Sequence, residues 1–364
     1  MPNHGSGIAK HLLEAGVQTT LEIKKLYLRM NLRIASPPVT DKMPPMNSNS
    51  LSRRDLLLTG GATAAALAVP GPQSVRADHH LGKPRFKYCL NMSTIRGAKD
   101  NLTIEQEVDI AIKAGYEAIE PWLRKIQKYV EGGGKLKDLR KRITDGGLTV
   151  ESAIGFANWI VDDDAKRAKG MEDMKRDMGW LAQIGGKRIA APPAGATRGT
   201  PVNLDRAAER YRKVLELGDE TGVTPEAELW GGTVSIGNLR QAIYVAVAAG
   251  HPKACFLGDV YHIYKGGSDF ASLRLLSAQA MQVIHFNDYP ADPPRETIKD
   301  ADRVYPGDGV APISDILRGF AASGAAPVLS LELFNRTYWE MDPLDNARKG
   351  LGKMKAAVAK AFPA

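Results

Sequence analysis

From Arg85 onward the chain alternates between two hydrophobic rhythms. Short apolar, β-favouring runs recur at residues 86–92, 116–122, 149–156, 188–194, 224–230, 254–263, 282–288 and 327–334, the signature of buried strands. Between them lie amphipathic stretches of helical period, from "TIEQEVDIAIKAG" to "LDNARKGLGKMKAAVAKAF". Six of the first seven end in Gly or Gly-Gly, the residue that best closes a helix; "FASLRLLSAQA" is the exception. Strand and helix alternating through short links imply parallel strands with crossover helices. Eight units in about 280 residues suit a closed (β/α)8 TIM barrel. An open doubly wound sheet usually carries a glycine-rich phosphate loop after its first strand, and "NMSTIRGAKDN" has none. The expected fold is α/β, a barrel filling residues 85–364.

Upstream of the barrel the pattern is different. "LSRRDLLLTGGATAAALAVPGPQSVRA" pairs Arg53 and Arg54 with a moderately apolar stretch and small residues ending at Ala77. It resembles the twin-arginine (Tat) export signal, and its apolar run is too short for a good spanning helix. The expectation is a signal peptide at 46–77, starting from Met46, and a short tail at 78–84. Residues 1–45 then read as an over-extended start or a disordered segment. The expected location is the periplasm or another exported site, with the Tat translocase as a transient partner.

Charge changes the picture once it is divided. The whole chain carries +8. Residues 1–77 hold nine Lys/Arg against four Asp/Glu, and the rest holds 40 against 37. The barrel itself is close to neutral, which argues against a nucleic-acid partner. Cys89 and Cys255 each lie in an apolar run and read as small buried hydrophobes.

Candidate chemistry sits where the expected strands end. Strand five closes on Glu228, strand six on Asp259 and His262, strand seven on His285 and Asp288, strand eight on Glu332. Active sites of such barrels form at these carboxyl ends. Carboxylates and an imidazole from four adjacent strands make an N/O donor set for one divalent ion, with Mn2+ favoured and Mg2+, Co2+ or Zn2+ as alternatives. Glu120 closes strand two, and Trp122 and Trp230 stand near the same end of the barrel. Tyr289–Ala311, long, Pro-rich and charged, reads as a lid.

These residues carry a resemblance. Glu228, Asp259-Val-Tyr-His262, His285-Phe-Asn-Asp288, Glu332, and Arg303 ahead of "PGDG" resemble the xylose isomerase-like TIM-barrel superfamily, the sugar phosphate isomerase/epimerase group. Hydroxypyruvate isomerase and inosose dehydratase belong to it. The resemblance implies that Glu228, Asp259, His285 and Glu332 bind the metal and that Glu228 and Glu332 move protons through a metal-stabilised enediolate. It also implies that His262 and Arg303 orient substrate oxygens, that Asp288 braces a ligand from behind and that Glu120 bonds a sugar hydroxyl. Under it Trp122 and Trp230 read either as sugar-stacking walls or as ordinary packing at the barrel mouth. Ketose 3-epimerases often carry a second Glu just after the strand-five ligand, and "ELWGGTVSIG" has none.

The expected function is that of a metal-dependent isomerase or epimerase of a keto sugar or sugar derivative. A metal-dependent lyase, dehydratase or hydrolase on keto sugars or inososes is the first alternative, and a non-catalytic sugar-binding barrel of the envelope the second. An export signal favours a neutral or carboxylated sugar over a sugar phosphate. Homo-oligomerisation is left open.

Overall fold

The computed structural model describes residues 85–97 and 99–363; the expected leader, the stretch before it and the tail 78–84 lie outside them. The strands are β1 (Tyr88–Asn91), β2 (Ala118–Glu120), β3 (Thr149–Val150), β4 (Arg188–Ala191), β5 (Thr224–Glu228), β6 (Phe256–Asp259), β7 (Val283–His285) and β8 (Val328–Leu331). All neighbours pair in parallel, in the order β3-β2-β1-β8-β7-β6-β5-β4. The two ends of that row meet: Lys187 N donates to Val150 O at 3.2 Å and Ala190 N to Ala153 O at 2.9 Å. The sheet is therefore a closed barrel with no free edge.

Helices surround it: α1 (Ile104–Ala114), α2 (Leu123–Glu131), α3 (Leu136–Asp145), α4 (Asp164–Gln183), α5 (Leu204–Thr221), α6 (Leu239–Ala248), α7 (Val260–Lys265), α8 (Ile313–Ala322) and α9 (Pro343–Ala361). Their ends are written locally. Thr103 and Gln106 form a reciprocal capping box at the start of α1, and Asp342 with Pro343 opens α9, both strong helix-start devices. Where α9 crosses β8, a Cβ on Gly350 would stand 2.3 Å from Leu331 Cδ2, so any larger residue there would force Leu331 to repack.

Three stretches depart from the sequence expectation. The run 254–263 is not one strand; it is β6 followed at once by α7, because Asp259 Oδ1 accepts from His262 N at 2.9 Å and caps the helix. "FASLRLLSAQA", the stretch without a closing glycine, forms a 3-10 turn at Phe270–Leu275. Helix α2 was not expected: Trp122 opens it with no side-chain cap, so its start carries no local signal.

Alternation along the strands sorts two environments. Leu90, Ile119, Ile284, Leu329 and Leu331 belong to the buried apolar core shared with the helices. Several of the intervening positions are polar and bond across the barrel. Low in the lumen, Glu151 meets Lys87 and Lys187 at 2.8 Å each and Arg188 at 3.4 Å. Higher up, Asn91, Glu120, Ser330 and Glu332 are linked by hydrogen bonds. Cys89 and Cys255 are both buried and free.

Candidate metal centre and active site

At the carboxyl end of the barrel, His285 is the hub. The parallel register puts Asp259 beside it, and its imidazole is fully buried. Nδ1 faces Glu332 Oε2 at 3.0 Å, Asp259 Oδ2 at 3.3 Å and Glu228 Oε1 at 3.7 Å, yet makes no hydrogen bond. Ligating atoms of Asp259, His285 and Glu332 all lie within 4.8 Å of one another. The sequence-predicted set Glu228, Asp259, His285 and Glu332 thus meets around one point, Glu228 standing slightly outside the inner three.

The far side of the imidazole is held by Glu120. His285 Nε2 lies 3.2 Å from Glu120 Oε2, and that carboxylate also accepts from Asn91 Nδ2 at 2.9 Å and Ser330 Oγ at 2.6 Å. A carboxylate on the second ring nitrogen fixes the ring and leaves the other nitrogen to a metal. Glu120, expected to meet a sugar hydroxyl, is instead buried behind the histidine. Asp288, expected to brace a ligand, is engaged elsewhere. Its oxygens accept from the amides of Tyr289, Gly307, Gly309 and Ala311 at 2.8–3.1 Å, and Val304 pairs antiparallel with it. It shapes the loop that delivers Arg303.

Arg303 is buried and its Nη1 bridges Asp259 Oδ2 (2.9 Å) and Glu332 Oε2 (2.7 Å), while Nη2 meets Asp300 Oδ1 at 2.5 Å. Nη2 also lies 3.0 Å from His262 Nε2. His262 belongs to the first turn of α7, not to a strand, and its Nδ1 accepts from Gly231 N at 3.1 Å. The segment Tyr289–Ala311 is pinned to α7, with Tyr289 stacked on Tyr264 at 3.8 Å and Tyr261 Oη donating to Ile298 O. It forms a wall of the site.

Four buried carboxylates (Glu120, Glu228, Asp259, Glu332) face two cationic groups, Arg303 and His285. Protonation records the imbalance. Burial, with Glu332 and Asp259 beside it, pushes Glu228 up to about 8 against the pull of His285. Burial would lower His285, but Glu332 and Glu120 outweigh it and raise the imidazole well above its usual value. Burial would raise Asp259 too; Arg303, His262 and His285 hold it far below the carboxylate range instead. An excess of buried negative charge around an orphaned imidazole nitrogen fits a divalent cation, and the hard and borderline donors exclude a soft one.

Above the ligands opens a cavity of about 430 Å3. Trp122 and Trp230 both line it, with Phe156 between them at ring distances of 5.3 and 6.0 Å. Phe156, Phe334, Asp300 and Trp339 complete the walls and were not anticipated, because they come from loops whose path depends on barrel closure. Asn91 and Ser330 lie on β1 and β8 and were missed because their partners, Glu120 and Glu332, come from other strands.

A profile of the family described as "Xylose isomerase-like TIM barrel" matches residues 108–357. The inosose isomerase of Bacillus velezensis is 23% identical over 284 residues, 76% of this chain and 99% of its own. A solved structure of the IOLI protein with a bound zinc atom superposes with a TM-score of 0.70 at 20% identity, covering 77% of this chain and 100% of that one. L-ribulose 3-epimerase gives 0.61 at 17% identity, over 76% and 96%. With two thirds of its length matched by that profile and its strands closed in the same barrel, the chain belongs to the xylose isomerase-like TIM-barrel family, a family of sugar isomerase- and epimerase-like enzymes.

Proposed function

We propose that the protein is a divalent-metal-dependent isomerase or epimerase acting on a keto sugar or a cyclic keto polyol of the inosose type. The observation that carries this reading is the contrast between two glutamates flanking one orphaned imidazole nitrogen. Glu332 is engaged as an acceptor, from Arg303 Nη1 and Asn91 Nδ2. Glu228 stands 3.7 Å from the same nitrogen, has only the Trp230 side chain as a hydrogen-bond partner in place of a cation, and is raised by burial to about 8, in the range where a carboxyl both takes and returns a proton near neutrality.

Asp259, His285 and Glu332, with Glu228 at their edge, would hold the ion, proposed as Mn2+ with Zn2+, bound by the IOLI neighbour, as its competitor. The ion supplies Lewis-acid polarisation of a substrate carbonyl. Glu228 would move a proton at the adjacent carbon through a carboxylate oxygen, with Glu332 serving the opposite side. Arg303 and His262 would orient oxygens, and the aromatic walls would exclude water. Return of the proton to the same carbon gives epimerisation, and to its neighbour gives isomerisation.

The test is a panel of inososes and keto sugars incubated in D2O with metal-loaded protein. Deuterium entering a carbon next to the carbonyl, lost on Glu228→Gln, is the expected result. Loss of water from the product would place the protein among lyases. Binding without any exchange would leave a sugar-binding barrel.

A further inference from the structure

The cavity has a second polar end. Arg96, from the turn after β1, and Arg336, from the loop after β8, both line it. Neither side chain donates a hydrogen bond or forms an ion pair with a described residue. Arg96 Nε is buried without a partner, and its guanidinium stacks on Trp339 at 4.2 Å. Trp339 is itself fixed, donating from Nε1 to Ser93 O at 2.9 Å. The neighbouring Arg124 contrasts with them: it stacks on Trp122 at 3.9 Å but is paired with Asp100 at 2.7 Å. Asp100 also stands 2.9 Å from Lys125 Nζ, so its single charge is already shared between two cations before Arg96 is counted. Burial lowers the pKa of Arg96, and Arg124 and Arg336 lower it further against the pull of Asp100, as expected of cations gathered without enough counter-charge.

We propose that Arg96 and Arg336 form an anion subsite that grips a carboxylate of the substrate, at the end remote from the reacting carbons. A stacked guanidinium keeps its edge free for a planar, two-point contact with a carboxylate. The distance from the reacting centre is set by one ring. Phe334 lies 5.1 Å under the Arg303 guanidinium and 6.4 Å from Trp339, so the anion sits beyond Phe334 from the metal-facing carboxylates. The inference rests on the active-site cavity assigned above and narrows the substrate to a sugar acid.

Its test is a binding measurement, independent of turnover. Three unreactive six-carbon probes are titrated calorimetrically against Mn2+-loaded and metal-free protein: gluconate, glucitol and glucitol 6-phosphate. Gluconate should bind at least about tenfold tighter than glucitol with or without metal, and Arg96→Gln or Arg336→Gln should erase the difference. Arg124→Gln, the control, should leave it standing. Equal binding of gluconate and glucitol overturns the proposal, as does a preference that survives both substitutions, which would put the carboxylate on the metal. Loss of preference in Arg124→Gln to the same degree would reduce the subsite to a diffuse field. Tighter binding of glucitol 6-phosphate than of gluconate would overturn the carboxylate assignment. Failure of deuterium exchange, by contrast, would strike the proposed reaction and leave this binding result intact.

Discussion

Glu228 and Glu332 look alike in sequence and differ in what holds them, so their substitutions should differ as well. Glu228→Gln and Glu332→Gln should each lower kcat by about 10²–10⁴-fold. Glu228→Gln should keep most of the metal, because the three atoms closest together belong to Asp259, His285 and Glu332; His285→Ala should lose it. Metal content and kcat of the three variants check this together. Glu226, one inward position below Glu228, makes a separate prediction. Both its oxygens are buried without a hydrogen bond, Arg188 Nε stands 3.9 Å away, and burial raises it to about 8. Between pH 4.5 and about 8 the unfolded chain has released this proton and the folded one still holds it, so stability declines as pH rises through that window. Glu226→Gln should therefore gain melting temperature relative to the parent at pH 8 and gain little at pH 5. An equal offset at both pH values would refute the buried-acid account. The four expected ligands were legible as strand-end residues. The roles of Glu120 and Asp288 were not: Glu120 meets a histidine from across the barrel, and Asp288 meets amides up to 23 residues on.

Among the elements, the stretch from Tyr289 to Ala311 is the one whose sequence says least about its shape. Composition marked it as long and functional, but its path is set by Asp288 gathering four amides. Asp288→Ala should cost about 2–4 kcal/mol, since several buried donors lose a charged acceptor at once. Hydrogen exchange should rise across residues 305–311, and activity should fall as Arg303 loses its mooring. Gly309→Ala should do the same, because the added Cβ would stand 2.2 Å from Tyr289 O and 2.4 Å from Asp288 Oδ1. Unchanged exchange in both variants would show that the loop is held by other contacts. Elsewhere, long amphipathic helices with caps were readable, while short apolar runs were ambiguous between strand and helix. "FLGDVYHI" is such a run, and its Asp259 is the cap signal that divides β6 from α7.

For the whole molecule, closure matters more than any one pairing. It turns alternate strand positions into a lumen, charged at the bottom with Lys87, Glu151, Lys187 and Arg188 and carrying the candidate ligands at the top. The expected leader at 46–77 belongs to this scale as well, and we propose export from the twin arginine and the "VRA" before Asp78. Mature protein should begin near Asp78, and Arg53→Lys with Arg54→Lys should retain it in the cytoplasm. Mass spectrometry of protein from the native host, fractionated by compartment, reads both outcomes; a mature chain that keeps residues 46–77 sinks the idea.

Asp259 spends its two oxygens on different tasks, Oδ1 on the start of α7 and Oδ2 on the site. His285 is likewise held by Glu120, and Glu332 by Arg303. Each candidate donor thus has a mooring of its own within the protein. Under the proposed role, the shape of the site would be carried by these contacts whichever divalent ion it takes. The choice between Mn2+ and Zn2+ would then fall to the supply of ions where the chain folds.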